Sequence, residues 1–451
     1  MWTLRYPRFC LIVRAKATTV AVRLGVILIA FCSSAMTPAG EADKAKDFAG
    51  LRKPRTLFVA NGDDWERGSF GSLAFTQDSS LLVASLSRLP GSGTRFLLGQ
   101  RVGEVRSFDL PAESGGSKVI TTGRNLAYEI LRTPSGACQK PLVIVRWDHR
   151  KTKDIALLQI VENEPKPSVV RQLEVAPENQ QDYNSGPYQA VATTTSGKTF
   201  ILGAGWTEFK KGSRSLNDLL WRGSVKAWNL QTGKLGFTDA WEGNQVLDVA
   251  SSPDGMHVAA GGGHHAPTLL SPNRYEGRVV CWDEGFEKKR FDLALPNHQV
   301  HCLAFSPDSK TLVTGGLDGA VKWIDVAQGK VVKSLDVASR SGKTLGRVES
   351  LAFSPDGNLL AAGVGSWNRG NKWGETFLMD VPKAEVYKVP SSQEDHVITC
   401  VAFSPDGKHL AAAGMEGILK LWQIDGGKRG EEKVGARQPS GDEKDSRTSP
   451  R

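Results

Sequence analysis

Apolar and polar positions alternate with period two in Gly277-Arg278-Val279-Val280-Cys281-Trp282-Asp283 and in Gly417-Ile418-Leu419-Lys420-Leu421-Trp422-Gln423. That is the pattern of a strand, not of a helix. Upstream of such segments lies an apolar stretch that runs into a turn, as in Leu351-Ala352-Phe353-Ser354-Pro355-Asp356-Gly357. Proline presets φ there and glycine accepts the left-handed conformation. A run of small residues follows, such as Leu359-Leu360-Ala361-Ala362-Gly363, whose size lets neighbouring sheets approach closely. A fourth segment, Lys330 to Leu335 in one copy, closes a unit of four predicted strands.

The unit repeats. Leu303 to Asp308, Leu351 to Gly357 and Val401 to Gly407 are its clearest copies, Val249 to Gly255 and Leu73 to Asp78 are two more, and Val191 to Gly197 and Ile130 to Gly136 are degenerate ones. The turn hydroxyls Thr76, Thr133, Thr194, Ser252, Ser306, Ser354 and Ser404 are spaced by 57, 61, 58, 54, 48 and 50 residues. A near-constant period of this length marks a repeat architecture.

Over roughly residues 54–425 the pattern resembles the WD40-repeat family. The resemblance implies an all-β, seven-bladed propeller of four-stranded blades. Trp282-Asp283 keeps the family's dipeptide at the end of a third strand. Phe108-Asp109, Leu158-Gln159, Trp228-Asn229, Ile324-Asp325, Met379-Asp380 and Trp422-Gln423 stand in elsewhere, while Trp147-Asp148 falls in a second strand. Blade 5 has the family's His298, Thr314 and Asp318, with Ile324 in place of Trp and Trp323 facing the other side. Blade 7 has His396, Glu416 and Trp422, with Ala412 where a hydroxyl belongs. In the family such histidines tie a blade together. No fourth strand follows Ile424, so Arg55 to Ala60 is expected to complete blade 7 and close the ring, which satisfies both sheet edges.

Outside the repeats, residues 36–53 read as a polar linker and residues 426–451 as a charged, disordered tail. Residues 1–35 have a basic start, an apolar run from Leu24 to Cys32 and small residues at Ser33-Ser34-Ala35. This is the layout of a cleaved export signal, and nine apolar residues fall short of the about 20 that span a bilayer. The expectation is an exported member of bacterial type, periplasmic or secreted, touching a membrane only through an uncleaved leader. The leader's five basic groups account for much of the net charge of +9 and leave +4 for the rest. That is too little to argue for nucleic acid. Cys302 and Cys400 stand three residues before a Phe in equivalent repeat positions and read as small core residues, without a disulfide framework.

No nucleophile elbow, phosphate loop or metal-ligand motif is present, and no cofactor is expected. Gly261-Gly262-Gly263 ends a strand and leads into no helix, and the adjacent His264-His265 reads as a solvated loop. The informative feature is the swelling between second and third strands. These connections are long at Ser87 to Arg101, Trp206 to Arg222, His264 to Glu276 and Ser366 to Trp373, and all emerge on one face of a propeller. They are rich in basic and aromatic residues, and Arg95, Trp206, Lys210, Lys211, Arg214, Trp221, Tyr275, Trp367, Arg369 and Trp373 are the candidate binding residues. Arg and aromatic side chains dominate interface energetics. The expected function is a non-enzymatic, monomeric scaffold that presents this face to a protein partner, or to an acidic glycan or envelope polymer. The rival is a propeller hydrolase or lactonase with its site at the channel mouth, where Asp318 and Glu416 are the available acids.

Overall fold

The computed structural model describes residues 45–48, 50–59, 69–88, 102–110, 117–124, 126–130, 142–148, 151–160, 168–174, 190–209, 212, 219–265, 275–343, 346–368, 371–390, 397–415 and 417–424. The leader, the C-terminal tail, Cys138, His396 and Glu416 lie outside them. Apart from one 3-10 turn at Ala338–Ser341, the described elements are strands. Two short ones come first, β1 (Lys46–Asp47) and β2 (Arg55–Val59). Blade 1 holds β3 (Ser69–Phe75), β4 (Leu81–Arg88), β5 (Val102–Asp109) and β6 (Ser117–Arg124). Blade 2 holds β7 (Leu126–Ile130), β8 (Leu142–Asp148), β9 (Lys151–Ile160) and β10 (Ser168–Glu174). Blade 3 holds β11 (Ala190–Thr193), β12 (Thr199–Phe209), β13 (Leu219–Asn229) and β14 (Leu235–Glu242). Blade 4 holds β15 (Gln245–Ser251), β16 (His257–His265), β17 (Tyr275–Asp283) and β18 (Lys289–Pro296). Blade 5 holds β19 (Val300–Phe305), β20 (Thr311–Gly316), β21 (Ala320–Asp325) and β22 (Lys330–Asp336). Blade 6 holds β23 (Arg347–Phe353), β24 (Leu359–Asn368), β25 (Asn371–Asp380) and β26 (Glu385–Lys388). Blade 7 holds β27 (Ile398–Phe403), β28 (His409–Gly414) and β29 (Ile418–Gln423), with β2 as its fourth strand.

The result is a seven-bladed β-propeller, and the ring closes as the sequence suggests. β2 runs antiparallel to β29, pairing Arg55 with Leu421 and Val59 with Ile418. From there it reaches into blade 1. Leu57 is buried among Phe70, Phe108 and Leu419, and Arg55 donates a 3.1 Å hydrogen bond to the Leu110 carbonyl.

There is no single core. The buried apolar side chains form one cluster for each junction between neighbouring blades. Both faces of a blade are therefore covered, and the period of two sorts residues between neighbours. On β17, Val280 and Trp282 pack towards blade 3, while Val279 and Cys281 pack towards blade 5. The position of the Trp in Trp282-Asp283 faces the preceding blade in all seven copies, whether it holds Phe108, Leu158, Trp228, Trp282, Ile324, Met379 or Trp422. Trp323 points the other way, into the junction with blade 6.

Polar side chains stitch the inner strands together around the channel. The Leu303 N–H donates to Asp248 Oδ2 at 2.7 Å, the Val401 N–H to Ser350 Oγ at 3.1 Å, and the Ile130 N–H to Ser72 Oγ at 3.1 Å. The thiols of Cys302 and Cys400 take the same place and donate to the carbonyls of Val348 and Phe70, both at 3.8 Å. The last of these crosses the closure from blade 7 to blade 1. The described cysteines are buried and in no disulfide, and burial pushes the Cys281 thiol up to about 12. At the opposite end of five repeats, the turn hydroxyl (Thr76, Ser252, Ser306, Ser354 or Ser404) braces the aspartate two residues on, while Thr194 pairs with Ser196 instead. Ser306 donates to Asp308 at 2.5 Å. That hydrogen bond holds the Asp308 carboxyl below its ordinary value.

Residues 45–48 and 50–53, within the stretch that reads as a polar linker, are attached to the blades. β1 adds to blade 6 in parallel, beside β26, and Phe48 and Leu51 pack against the junction of blades 6 and 7.

Candidate functional site

The long connections between second and third strands are strand for much of their length. β12 and β13 have 11 residues each, and β24 and β25 have 10, against six for β20, β21, β28 and β29. At about 3.3 Å per residue, the blade 3 hairpin rises roughly 16 Å above the face on which the short hairpins end. Its ladder runs unbroken from Thr199–Asn229 to Phe209–Leu219. Blades 4 and 1 extend the same way, with nine and eight residues per strand.

Strand pairing decides where the candidate aromatics point. Trp206 lies opposite Arg222, and Thr207 opposite Trp221, so the two tryptophans occupy opposite faces of one hairpin. Trp206 is half-buried against the junction with blade 2. Trp221 is half-buried on the blade 4 side, with its ring centroid 6.4 Å from that of His264. His264 Nδ1 in turn lies 3.2 Å from Asn244 Oδ1. The expected solvated loop at His264-His265 is a correction: both residues belong to β16, facing Glu276 and Tyr275 across the ladder. His264 is therefore a site residue that the sequence reading passed over. The alternation of β17, carried back to Tyr275, could have shown that the paired strand extends this far.

The glycines of Gly261-Gly262-Gly263 are explained by packing. A Cβ on Gly262 would stand 1.9 Å from the Gln245 carbonyl oxygen, and one on Gly263, at φ 149°, 2.0 Å from that of Glu276. Only glycine lets these backbones approach so closely.

Trp373 is corrected outright. It sits inside the β24–β25 ladder, is 2% exposed, and belongs to the junction of blades 5 and 6, alongside Phe377 and Met379 on the same face of β25. Gly346 packs against its ring, and the Lys343 ammonium lies 5.2 Å from the ring centroid. It is a core residue, not a contact for a partner. Tyr275 begins β17 and Trp367 lies on β24 opposite Lys372. Arg95, Lys210, Lys211, Arg214 and Arg369 lie outside the described residues. The structure thus brings Trp221 together with His264 on neighbouring projecting hairpins, and leaves Trp206 on the other face of the blade 3 hairpin.

The catalytic alternative has its best constellation in blade 5. His298 Nδ1 lies 2.8 Å from Asp318 Oδ1, and Nε2 2.9 Å from Thr314 Oγ1. Hydroxyl, imidazole and carboxylate are connected as in a nucleophilic triad. Yet His298 and Thr314 are both 0% exposed, so no substrate atom could reach the hydroxyl. Burial alone would raise the Asp318 carboxyl, but the contacts with His298, the Ala320 N–H and Lys322 together outweigh it and hold it low. The trio ties β20 to the turn before β21, which is a structural task. Among the described residues no group of three or more His, Cys, Asp or Glu is placed to hold a metal ion.

Seven blades closed by an N-terminal strand, one of them tied by a His–Thr–Asp trio and several carrying projecting hairpins, define a propeller scaffold. The chain is a seven-bladed β-propeller, and the family model "WD domain, G-beta repeat" matches three stretches of it, residues 290–325, 334–370 and 386–423. Two of these matches stop at the end of a third strand, at Asp325 and Gln423. Among curated proteins it is similar to small ribosomal subunit protein RACK1y of Oryza sativa subsp. japonica, at 29% identity over 36% of this chain and 45% of the relative. It is also similar to the guanine nucleotide-binding protein subunit beta of the same plant, at 29% over 40% and 43%, and to WD repeat-containing protein 1-B of Xenopus laevis, at 30% over 37% and 24%. The matched stretch spans less than half the length of each of these relatives. All three are eukaryotic proteins, and a bacterial-type assignment draws no support from them.

Proposed function

We propose that the protein is a non-enzymatic scaffold that binds a protein partner through the face bearing the long second-to-third-strand hairpins. The observation that carries this is the projection of the blade 3 hairpin beyond the short blades, with Trp206 half-buried on its blade 2 side and Trp221 half-buried on its blade 4 side, beside His264. Half-buried aromatics on a rigid support lose little entropy on binding and offer a large apolar area. Two of the relatives are named as subunits of larger assemblies, in keeping with this reading. Lys210, Lys211 and Arg214, in the sequence between β12 and β13, add positive charge, which favours an acidic patch on the partner.

The test is capture of the partner with the intact protein and with variants compared at matched thermal stability. Lys211→Glu with Arg214→Glu is expected to weaken binding about tenfold at low salt and less at high salt, because exposed charges are screened. Trp221→Ala is expected to weaken it about tenfold at any salt. Lys198→Glu and Lys408→Glu, on the opposite face, should do nothing, and both positions are exposed. If those controls weakened binding as much as the hairpin changes, the face would be wrong.

We further propose that the chain is exported, with cleavage near Ala35, on the strength of the short apolar run and the small residues that follow it. N-terminal sequencing of the native protein is expected to find a mature chain beginning near Met36. A cytosolic chain that retains residues 1–35 would overturn this.

A further inference from the structure

The outer strand of a blade leaves one row of backbone N–H and C=O groups without a sheet partner. Blade 6 is treated differently. Lys46 and Asp47 pair in parallel with Tyr387 and Lys388, and the Phe48 N–H donates to the Lys388 carbonyl at 2.9 Å. The segment then crosses to blade 7, where Leu51 bridges Ile424 and the Arg52 N–H donates to the Gln423 carbonyl at 3.1 Å.

Side chains anchor this path at three-residue intervals. Ala45 packs on the junction of blades 5 and 6, and Phe48 and Leu51 pack on the junction of blades 6 and 7, whose buried members include Val389 and Trp422. The Phe48 ring meets Tyr387 edge-on, with centroids 5.5 Å apart and planes at 74°. It also folds back over Gly50, where a Cβ would stand 2.7 Å from Phe48 Cε1. The fit is specific to this sequence, yet the ladder is only two residues long. The closing strand β2, which follows directly, has five. Parallel pairing is also slightly weaker per residue than antiparallel pairing. The segment is therefore a separate attachment, held by a few bonds and three side chains, of which Phe48 and Leu51 are the large ones.

We propose that the outer edge of blade 6 and the end of blade 7 form an acceptor site for an extended peptide carrying an aromatic residue and a leucine three positions apart, and that residues 45–53 fill this site in cis. Main-chain bonds to β26 supply affinity and the two apolar seats supply selectivity, as in other strand-addition sites. A protein partner bearing such a segment would displace the chain's own residues without opening the ring, because β2 remains in place.

The experiment uses the full chain with Phe48→Asp and Leu51→Asp, which empties the seats, and a labelled peptide of residues 43–54 as the probe. The peptide is expected to bind this variant at least tenfold more tightly than the unaltered protein, where the site is occupied. A peptide with Phe48→Ala and Leu51→Ala should bind at least tenfold more weakly than the native peptide. Equal binding to both proteins, or indifference to the altered peptide, would overturn the proposal. Hydrogen exchange on the unaltered protein is an independent check should the variant fold poorly. The amides of Phe48 and Arg52 are expected to exchange at least tenfold faster than those bonded within residues 55–59, and at least tenfold slower than unprotected amides. Exchange at the unprotected rate, or together with β2, would also sink the idea.

Discussion

Removing residues 55–59 is expected to lower the melting temperature of the whole propeller by on the order of 10 °C. β2 is the one strand of blade 7 that comes from the other end of the chain, so its loss opens the ring at that junction. The deletion forfeits burial of Leu57, worth about 2 kcal/mol, and several ladder hydrogen bonds at about 1 kcal/mol each. It also removes the Arg55 contact to the Leu110 carbonyl, and the Phe58 ring that lies 6.2 Å from Phe70 and 6.1 Å from Phe108. With the ring open, β29 presents an unpaired edge, and aggregation on heating should increase. Calorimetry, with deletion of residues 426–451 as the control, decides the matter. If both truncations melted like the intact protein, closure by β2 would contribute nothing to stability.

Most of this architecture was legible because a repeat multiplies a weak signal. A single Ser-Pro-Asp-Gly could be any turn, but spacing identified even the copy around Thr194, and the structure places strands on either side of it. The stand-ins for tryptophan were legible for the same reason: Ile324 and Met379 stand at the end of a third strand, each just before an Asp, and both face the preceding blade. The site was less legible. Trp373 reads as a loop residue because a long connection between strands looks alike in sequence whether it is loop or extended ladder. Only the register, which pairs Ser366 with Trp373, shows that the residue lies within the sheet. His264 was missed by the same ambiguity. Residues 45–53 misled differently: Lys46, Asp47, Arg52 and Lys53 make the segment polar on average, while the large side chains that attach it are Phe48 and Leu51. Composition averages over a segment, whereas docking depends on individual side chains.

Trp282→Ala is expected to destabilise the propeller by about 3–5 kcal/mol, because the indole is 2% exposed and its removal leaves a cavity between two blades. Its ring centroid lies 5.8 Å from that of Phe237 and 6.0 Å from that of Phe286, and those two rings stack at 4.4 Å. They come from β14 of blade 3 and the turn before β18 of blade 4, so they can follow the lost side chain only by moving two blades towards each other. Phe286 resists such movement, since it holds φ 59°, a left-handed conformation that a bulky residue adopts only under constraint. Trp323, on the opposite strand face in blade 5, should behave differently. It is also buried, but its Nε1–H has no hydrogen-bond partner. Trp323→Phe removes that unsatisfied donor while leaving a small cavity, and the two effects should offset to within about 1 kcal/mol. Chemical denaturation of both variants distinguishes them. A Trp282→Ala cost below about 1 kcal/mol would mean that the junction of blades 3 and 4 relaxes freely, and that the third-strand aromatic is not what holds these blades together.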